Sequence, residues 1–227
     1  MIIEKGLELE TALIIPDALQ PQADLTLPGL TQEVLEELKR GGWKTVGLMV
    51  AFTDSEGNIM MLEHNGREKN EPGALGPLGE TSQCSGPIVE QPVETLFRGI
   101  QEELGIQRPV VLDFWMYQRA GWVINQWPRG NGYPGEFACA ISFPVFLPDS
   151  VKEHLLAIPH GTEEVGKISF LNQDAILAME ESSLRPGTKQ WLNQLGQAGL
   201  FDPAQHGTLE QIDFSQIYEA SLRDVEL

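Results

Sequence analysis

The sequence predicts a mixed α/β or α+β sandwich, and three observations predict it. Residues 46–52 form a continuous apolar run of strand length. Residues 92–104 form an amphipathic helix in mid-chain. Further strand candidates follow that helix, with helix candidates late in the chain. A length of 227 residues suits one large domain, or one domain with elaborations.

The elements follow in order. Residues 1–30 are rich in Leu and Pro, with an extended stretch at 11–15 and a Pro-studded connection after it. Thr31 is placed to cap a short helix that runs to Arg40 and is closed by Gly41 and Gly42. Its acidic first turn and basic last turn suit the helix dipole. The apolar run at 46–52 reads as a strand buried on both faces, followed by turn chemistry at 54–57 and a returning strand at 58–63. Residues 64–89 are polar, rich in Gly and Pro and without periodicity. They read as a long loop, and long loops in compact domains are often functional.

Pro92 suits the first turn of the next helix. Val93, Leu96, Phe97, Ile100 and Leu104 make one apolar face, and Gly105 is placed as the C-terminal cap. Strand candidates lie at 110–117, 137–147 and 167–171. Between the first two, residues 122–136 are aromatic and Gly-rich and read as a loop or hairpin tip. Helix candidates lie at 173–180, 189–197 and 214–222.

Composition narrows the function. Apolar residues make up 41% and charged residues 21%, which is ordinary globular usage. Fifteen Lys and Arg stand against 33 Asp and Glu, a net charge of −18. Such a chain repels a polyphosphate backbone at long range, so a nucleic-acid polymer is not the expected partner, whereas a small anionic substrate stays open. Cys84 and Cys139 lie outside any C-x-x-C or Cys/His cluster and read as reduced thiols of a cytoplasmic protein. No signal peptide or membrane span is legible. The expected state is a monomer or a homodimer.

Glu94, Arg98 and Glu102 stand at successive i, i+4 spacings on the helix at 92–104. Glu103 follows, and Glu90 sits just before the helix. A solvated charged face is the ordinary reading. Against it stand the long loop ahead of the helix and a second pair, Glu163 and Glu164, downstream. Carboxylates converging from a helix and a loop are what a hard divalent cation needs.

Glu90, seven intervening residues, and then Arg98-Gly99-Ile100-Gln101-Glu102-Glu103-Leu104-Gly105-Ile106 resemble the Nudix box, G-x5-E-x7-R-E-U-x-E-E-x-G-U with U aliphatic. Glu90, Arg98, Ile100, Glu102, Glu103, Gly105 and Ile106 match in register, over about a tenth of the chain. The resemblance implies an α/β/α sandwich with a mixed sheet. It also implies hydrolysis of a nucleoside diphosphate linked to another group, with Mg²⁺ or Mn²⁺ as cofactor.

Two positions depart from the pattern. Gly99 replaces the Glu after the Arg, commonly a metal ligand in the family, and Cys84 stands where the box has its first Gly. Restoring Glu at 99 is expected to put a carboxylate one turn before Glu103, on the same face. Gly79 is a candidate for the backbone carbonyl that usually joins the metal shell.

The resemblance implies the remaining roles. Glu102 and Glu103 are the preferred metal ligands; the competing readings are an ion pair with Arg98 for Glu102 and solvent exposure for Glu103. Glu136, in a second loop like the family's, is the candidate to compensate for Gly99, with an ordinary strand-initiating residue as its equal alternative. Glu164, or nearly as well Glu163, is the candidate base or further ligand. Glu90, Arg98 and Gly105 are structural residues of the box.

For substrate, Arg67, Lys69, Arg119 and Arg129 are candidates to meet phosphates. Trp122, Trp127 and Tyr133 offer a stacking surface for a base, or else cover a core edge or a dimer contact. The expected organisation is an extension with a short helix over 1–42, the Nudix-like domain over 43–200 and a packed C-terminal helical segment over 201–227. Rivals to the hydrolase are a Nudix-fold nucleotide-binding or regulatory module that has lost catalysis and, more weakly, an isomerase acting on an isoprenoid diphosphate.

Overall fold

A computed structural model describes residues 15–19, 27–65, 73–85, 88–105, 116–118, 121–128, 136–147, 149–157, 165–201 and 210–212. Five α-helices are present among them: α1 Gln32–Arg40, α2 Pro92–Leu104, α3 Asp149–Ala157, α4 Gln173–Ala178 and α5 Thr188–Gln197. The strands are β1 Thr45–Thr53, β2 Ile59–His64, β3 Leu75–Gly76, β4 Leu78–Thr81, β5 Cys84–Ser85, β6 Ile88–Val89, β7 Met116–Gln118, β8 Val123–Pro128, β9 Phe137–Phe146, β10 Val165–Leu171 and β11 Glu210–Ile212.

Nine strands join in one sheet along the path β10-β2-β1-β9-β7-β11, with β3 on β2, β4 on β1 and β8 on β9. The strands β1 and β9 run parallel in register from Thr45 opposite Ala138 to Thr53 opposite Phe146, and the other described pairs are antiparallel. The sheet is therefore mixed. β5 and β6 form a separate small hairpin.

Alternation of side chains puts a core on each face of this sheet. From β1, Val46, Leu48, Val50 and Phe52 enter one core, while Met49 and Ala51 enter the other. β2 divides in the same way, with Met60 and Leu62 on one side and Ile59 and Met61 on the other. The first core is covered by α1 through Val34, Leu35 and Leu38, by α2 through Leu96, Ile100 and Leu104, and by α3 through Leu155. The second is covered by α4 through Ile176 and by α5 through Trp191, Leu192 and Leu195. The result is a helix–sheet–helix sandwich, and a run such as 46–52 is apolar throughout because both faces of β1 are buried.

Several expectations hold closely. Thr31 caps α1, its side chain accepting from the Val34 amide at 3.2 Å. Asp54 makes the turn between β1 and β2 by accepting from the amides of Glu56 and Asn58. Three expectations need correction. The stretch read as one long loop at 64–89 contains β3, β4, β5 and β6, too short to show a period of two but paired along the sheet or with each other. The stretch read as loop or hairpin tip at 122–136 begins with β8, paired with β9 from Val123 opposite Ser142 to Pro128 opposite Phe137. No element is legible in the sequence at 149–157, where α3 lies. Lys152 ties α3 to the buried Asp54 at 2.6 Å, and Ser55 donates to Asp149. Of the candidate strand at 110–117 only 116 and 117 are described, and 11–14 and 214–222 lie outside the described residues.

Candidate functional site

The site is built on α2 and on β4, which packs beside it. Pro92 opens the helix without wasting a backbone donor. Glu94 accepts from the Gln91 amide at 2.8 Å. The Gln91 side chain stitches this helix start to the chain before α1, accepting from the Leu30 amide at 2.9 Å and donating to the Leu30 carbonyl at 2.8 Å. Gly105 closes the helix in the left-handed conformation, φ 65°, which favours glycine. Leu96, Ile100 and Leu104 anchor the helix in the core, and Thr95, Gly99 and Glu103 are buried with them.

Arg98 is the hub. Its Nε donates to Glu90 Oε1 at 2.9 Å, and Nη2 donates to Glu90 Oε2 at 3.0 Å, a bidentate pair. Nη2 also reaches the Thr81 carbonyl at 2.6 Å. Nη1 donates to Glu102 Oε2 at 3.0 Å and lies 3.2 Å from Glu80 Oε1. One guanidinium thus gathers three carboxylates from β4, the segment before α2 and α2 itself. Glu90 in turn accepts from the Gln83 amide at 2.8 Å and the Thr95 hydroxyl at 3.1 Å, closing the segment between β4 and the helix.

Burial and charge compete here. Burial pushes the Glu80 carboxyl up, and Arg98 and the Thr81 amide offset only part of that. Burial also acts upward on Glu90, but hydrogen bonds from Arg98, the Gln83 amide and Thr95 hold it below the ordinary carboxylate range. Burial opposes the charge of Arg98, yet Glu90 and Glu80 hold the guanidinium charged more firmly than usual.

The expected site residues fall in different places. Glu102 makes the Arg98 ion pair, with its side chain 46% exposed. Glu103 is 4% exposed, so the solvent-exposed alternative for it does not hold. Glu136, just before β9, lies 3.9 Å from Lys44 Nζ. Trp127 is not an open stacking surface. It is 7% exposed in the second core, with the Arg185 guanidinium 6.0 Å from its ring centre, and Trp122 is buried in the first core. Both follow the core-edge alternative: Trp127 lies on β8, a strand of the sheet, and Trp122 directly precedes it. Arg67, Lys69, Ile106, Arg119, Arg129, Tyr133, Glu163 and Glu164 lie outside the described residues.

Among the described residues, no three of His, Cys, Asp and Glu are grouped to hold a metal ion. The donor type suits a hard cation, but Glu80, Glu90 and Glu102 are arranged around Arg98 instead. The described carboxylates therefore do not complete a donor set by themselves.

Glu80 is the residue that the sequence reading missed. It was hidden inside an apparent loop; its signal is its place directly after Gly79, on a short strand that pairs with β1 through Leu48.

No family model and no curated protein matches the chain. Solved structures do. A MutT protein from Methanosarcina mazei Go1 is 15% identical at a TM-score of 0.47, with 68% of this chain and 94% of that one covered. A C. elegans Ap4A hydrolase is 9% identical at 0.47, covering 69% and 99%. The Nudix hydrolase RenU from M. smegmatis is 14% identical at 0.44, covering 71% and 88%.

Proposed function

We propose that the chain is a Nudix-type hydrolase that cleaves a phosphoanhydride bond in a nucleoside diphosphate linked to another group, with Mg²⁺ or Mn²⁺. One observation carries this reading. Two box residues that match in sequence meet in space, with Arg98 gripping Glu90 bidentately at the start of a helix that carries Glu102 and Glu103 and is closed by Gly105.

The reading gives Glu102 and Glu103 the cation, with a carboxylate at 163 or 164 as a further donor; Glu136 has no place in it, since no three described carboxylates are grouped for a metal. A cation held there would supply neutralisation of the diphosphate oxygens and a lowered pKa for a coordinated water. Glu164 or Glu163 takes the proton of the attacking water. Arg67 and Arg119 meet the phosphates and Tyr133 the base. Glu90 and Arg98 fix the approach to the helix. Trp127 has no place at the base, since its ring is buried.

The second reading is a nucleotide-binding module without turnover. Gly99 favours it, as does the engagement of Glu102 by Arg98.

The deciding experiment incubates the purified chain with nucleoside diphosphate derivatives and either cation, alongside Mn²⁺ titration by calorimetry. Hydrolysis, with Mn²⁺ binding weakened by Glu102→Gln and Glu103→Gln together, is the expected result. Nucleotide binding without product in either metal would establish the second reading. Unchanged Mn²⁺ binding in the double variant would remove these two ligands.

A further inference from the structure

Gly99 is not an open position on α2. It is buried, and a Cβ there would lie 3.1 Å from Glu80 Cβ, 3.4 Å from Glu80 Cγ and 3.4 Å from Leu78 Cδ2. The stem of Glu80 occupies the space that a side chain at 99 needs. The main chain at Glu80 is itself seated against β1, where a Cβ at Gly47 would stand 2.3 Å from the Glu80 carbonyl oxygen. β4 is therefore held from the helix and from its neighbouring strand, and Glu80 has little room to shift.

From that position the carboxylate is aimed. Oε1 accepts from the Thr81 amide at 2.8 Å and lies 3.2 Å from Arg98 Nη1, with the side chain 17% exposed. A side chain at 99 therefore meets the stem of Glu80, which must give by a few tenths of an ångström to admit it.

We propose that Glu80 is a positioning residue of this site: its stem fills the place that Gly99 leaves empty, and its carboxylate is the third anion that fixes Arg98, and through Arg98 the carboxylate of Glu102. Gly99 and Glu80 are then a coupled pair. The coupling stands on packing alone; its effect on turnover rests on the hydrolase reading.

The test uses the full chain with Gly99→Ala, Glu80→Gly, the two combined, and Glu80→Gln. Alanine in place of an interior helical glycine ordinarily stabilises. Here Gly99→Ala is expected to lower Tm when Glu80 is present and to raise it in the Glu80→Gly background. Equal shifts in the two backgrounds overturn the pairing.

Glu80→Gln keeps the stem and removes the charge. The guanidinium protons of Arg98, followed by NMR and assigned with Arg98→Lys, are expected to exchange about tenfold faster in this variant, about 1.4 kcal/mol of lost protection. Turnover is expected to fall with KM nearly unchanged, the split that separates positioning from substrate binding. Unchanged exchange and unchanged kcat overturn the positioning role. A wild-type chain that hydrolyses no diphosphate sinks the hydrolase reading instead, and the Tm cycle and the proton exchange still decide the role of Glu80.

Discussion

Arg98 gathers three carboxylates, and its loss has a definite cost. Its side chain is 17% exposed, so its pairs are neither fully buried nor freely solvated. An intermediate penalty follows, about 2–3 kcal/mol for Arg98→Ala, between the values for surface and buried pairs. Arg98→Lys should recover less than half, because an ammonium cannot make the bidentate grip on Glu90; urea unfolding measures both, and a full rescue by Lys would show that charge alone matters. His64 gives a pH dependence of known sign. Burial, and then the charge of Arg185, whose Nη1 lies 3.3 Å from His64 Nε2, lower its pKa from 6.5 to about 3. Between those values the unfolded chain binds a proton that the folded chain refuses, so stability falls as pH drops below about 6.5, by at most about 1.4 kcal/mol per pH unit. His64→Gln should flatten that part of the stability–pH curve, and an unaltered slope would exclude His64 as its source. The cysteines separate by burial. Cys84 is exposed, whereas Cys139 is buried and its thiol is pushed up to about 12. A thiol reagent should label Cys84 in the native protein and Cys139 only on unfolding, and fast native labelling of both would contradict the burial of β9.

What the sequence reveals varies from element to element, for physical reasons. The bounds of α2 are legible to the residue, because its apolar face has a period of 3.6 and both ends carry chemistry, Pro92 and Gly105. Replacing Gly105 by Ala should cost about 1 kcal/mol, since a Cβ is disfavoured in the left-handed region; thermal unfolding checks this, and a neutral substitution would mean that the helix end can be remodelled. β1 is legible because burial on both faces leaves an unbroken apolar run. β4 is not. It has four residues, of which one is buried, two are half-buried and one is exposed, and its place comes from pairing with β1 rather than from any pattern of its own. With β4 illegible, Glu80 carries no role in the sequence, and the anions expected beside the helix are those of other loops, Glu136, Glu163 and Glu164. β8 is obscured differently: Trp122 and Trp127 in a Gly-rich neighbourhood suggest a loop or hairpin tip, while pairing with β9 fixes a strand that carries Trp127, with Trp122 buried directly before it. The box was legible as a pattern, but that Arg98 gathers Glu80 with Glu90 and Glu102 depends on contacts across the chain.

At the scale of the whole molecule, the excess of negative charge sets the response to salt. The chain carries a net charge of −18. Folding brings those charges closer together, so self-repulsion opposes the compact state. Raising NaCl from about 10 mM to about 150 mM shortens the screening length from about 30 Å to about 8 Å, which removes most long-range repulsion across a domain of this size. The same salt weakens attractive pairs, but the strongest of these are shielded from it. Asp54 is fully buried against Lys152, and the Glu90–Arg98 pair is mostly covered and bidentate. Exposed pairs such as Arg40–Glu37 contribute at most about 1 kcal/mol each to begin with. Screened repulsion should therefore outweigh screened attraction. Tm is expected to rise with NaCl over this range, and an uncharged osmolyte at equal osmolality should not reproduce the initial steep part of the rise. A Tm that falls with salt would mean that local ion pairs, rather than the net charge, dominate the electrostatic balance of the fold.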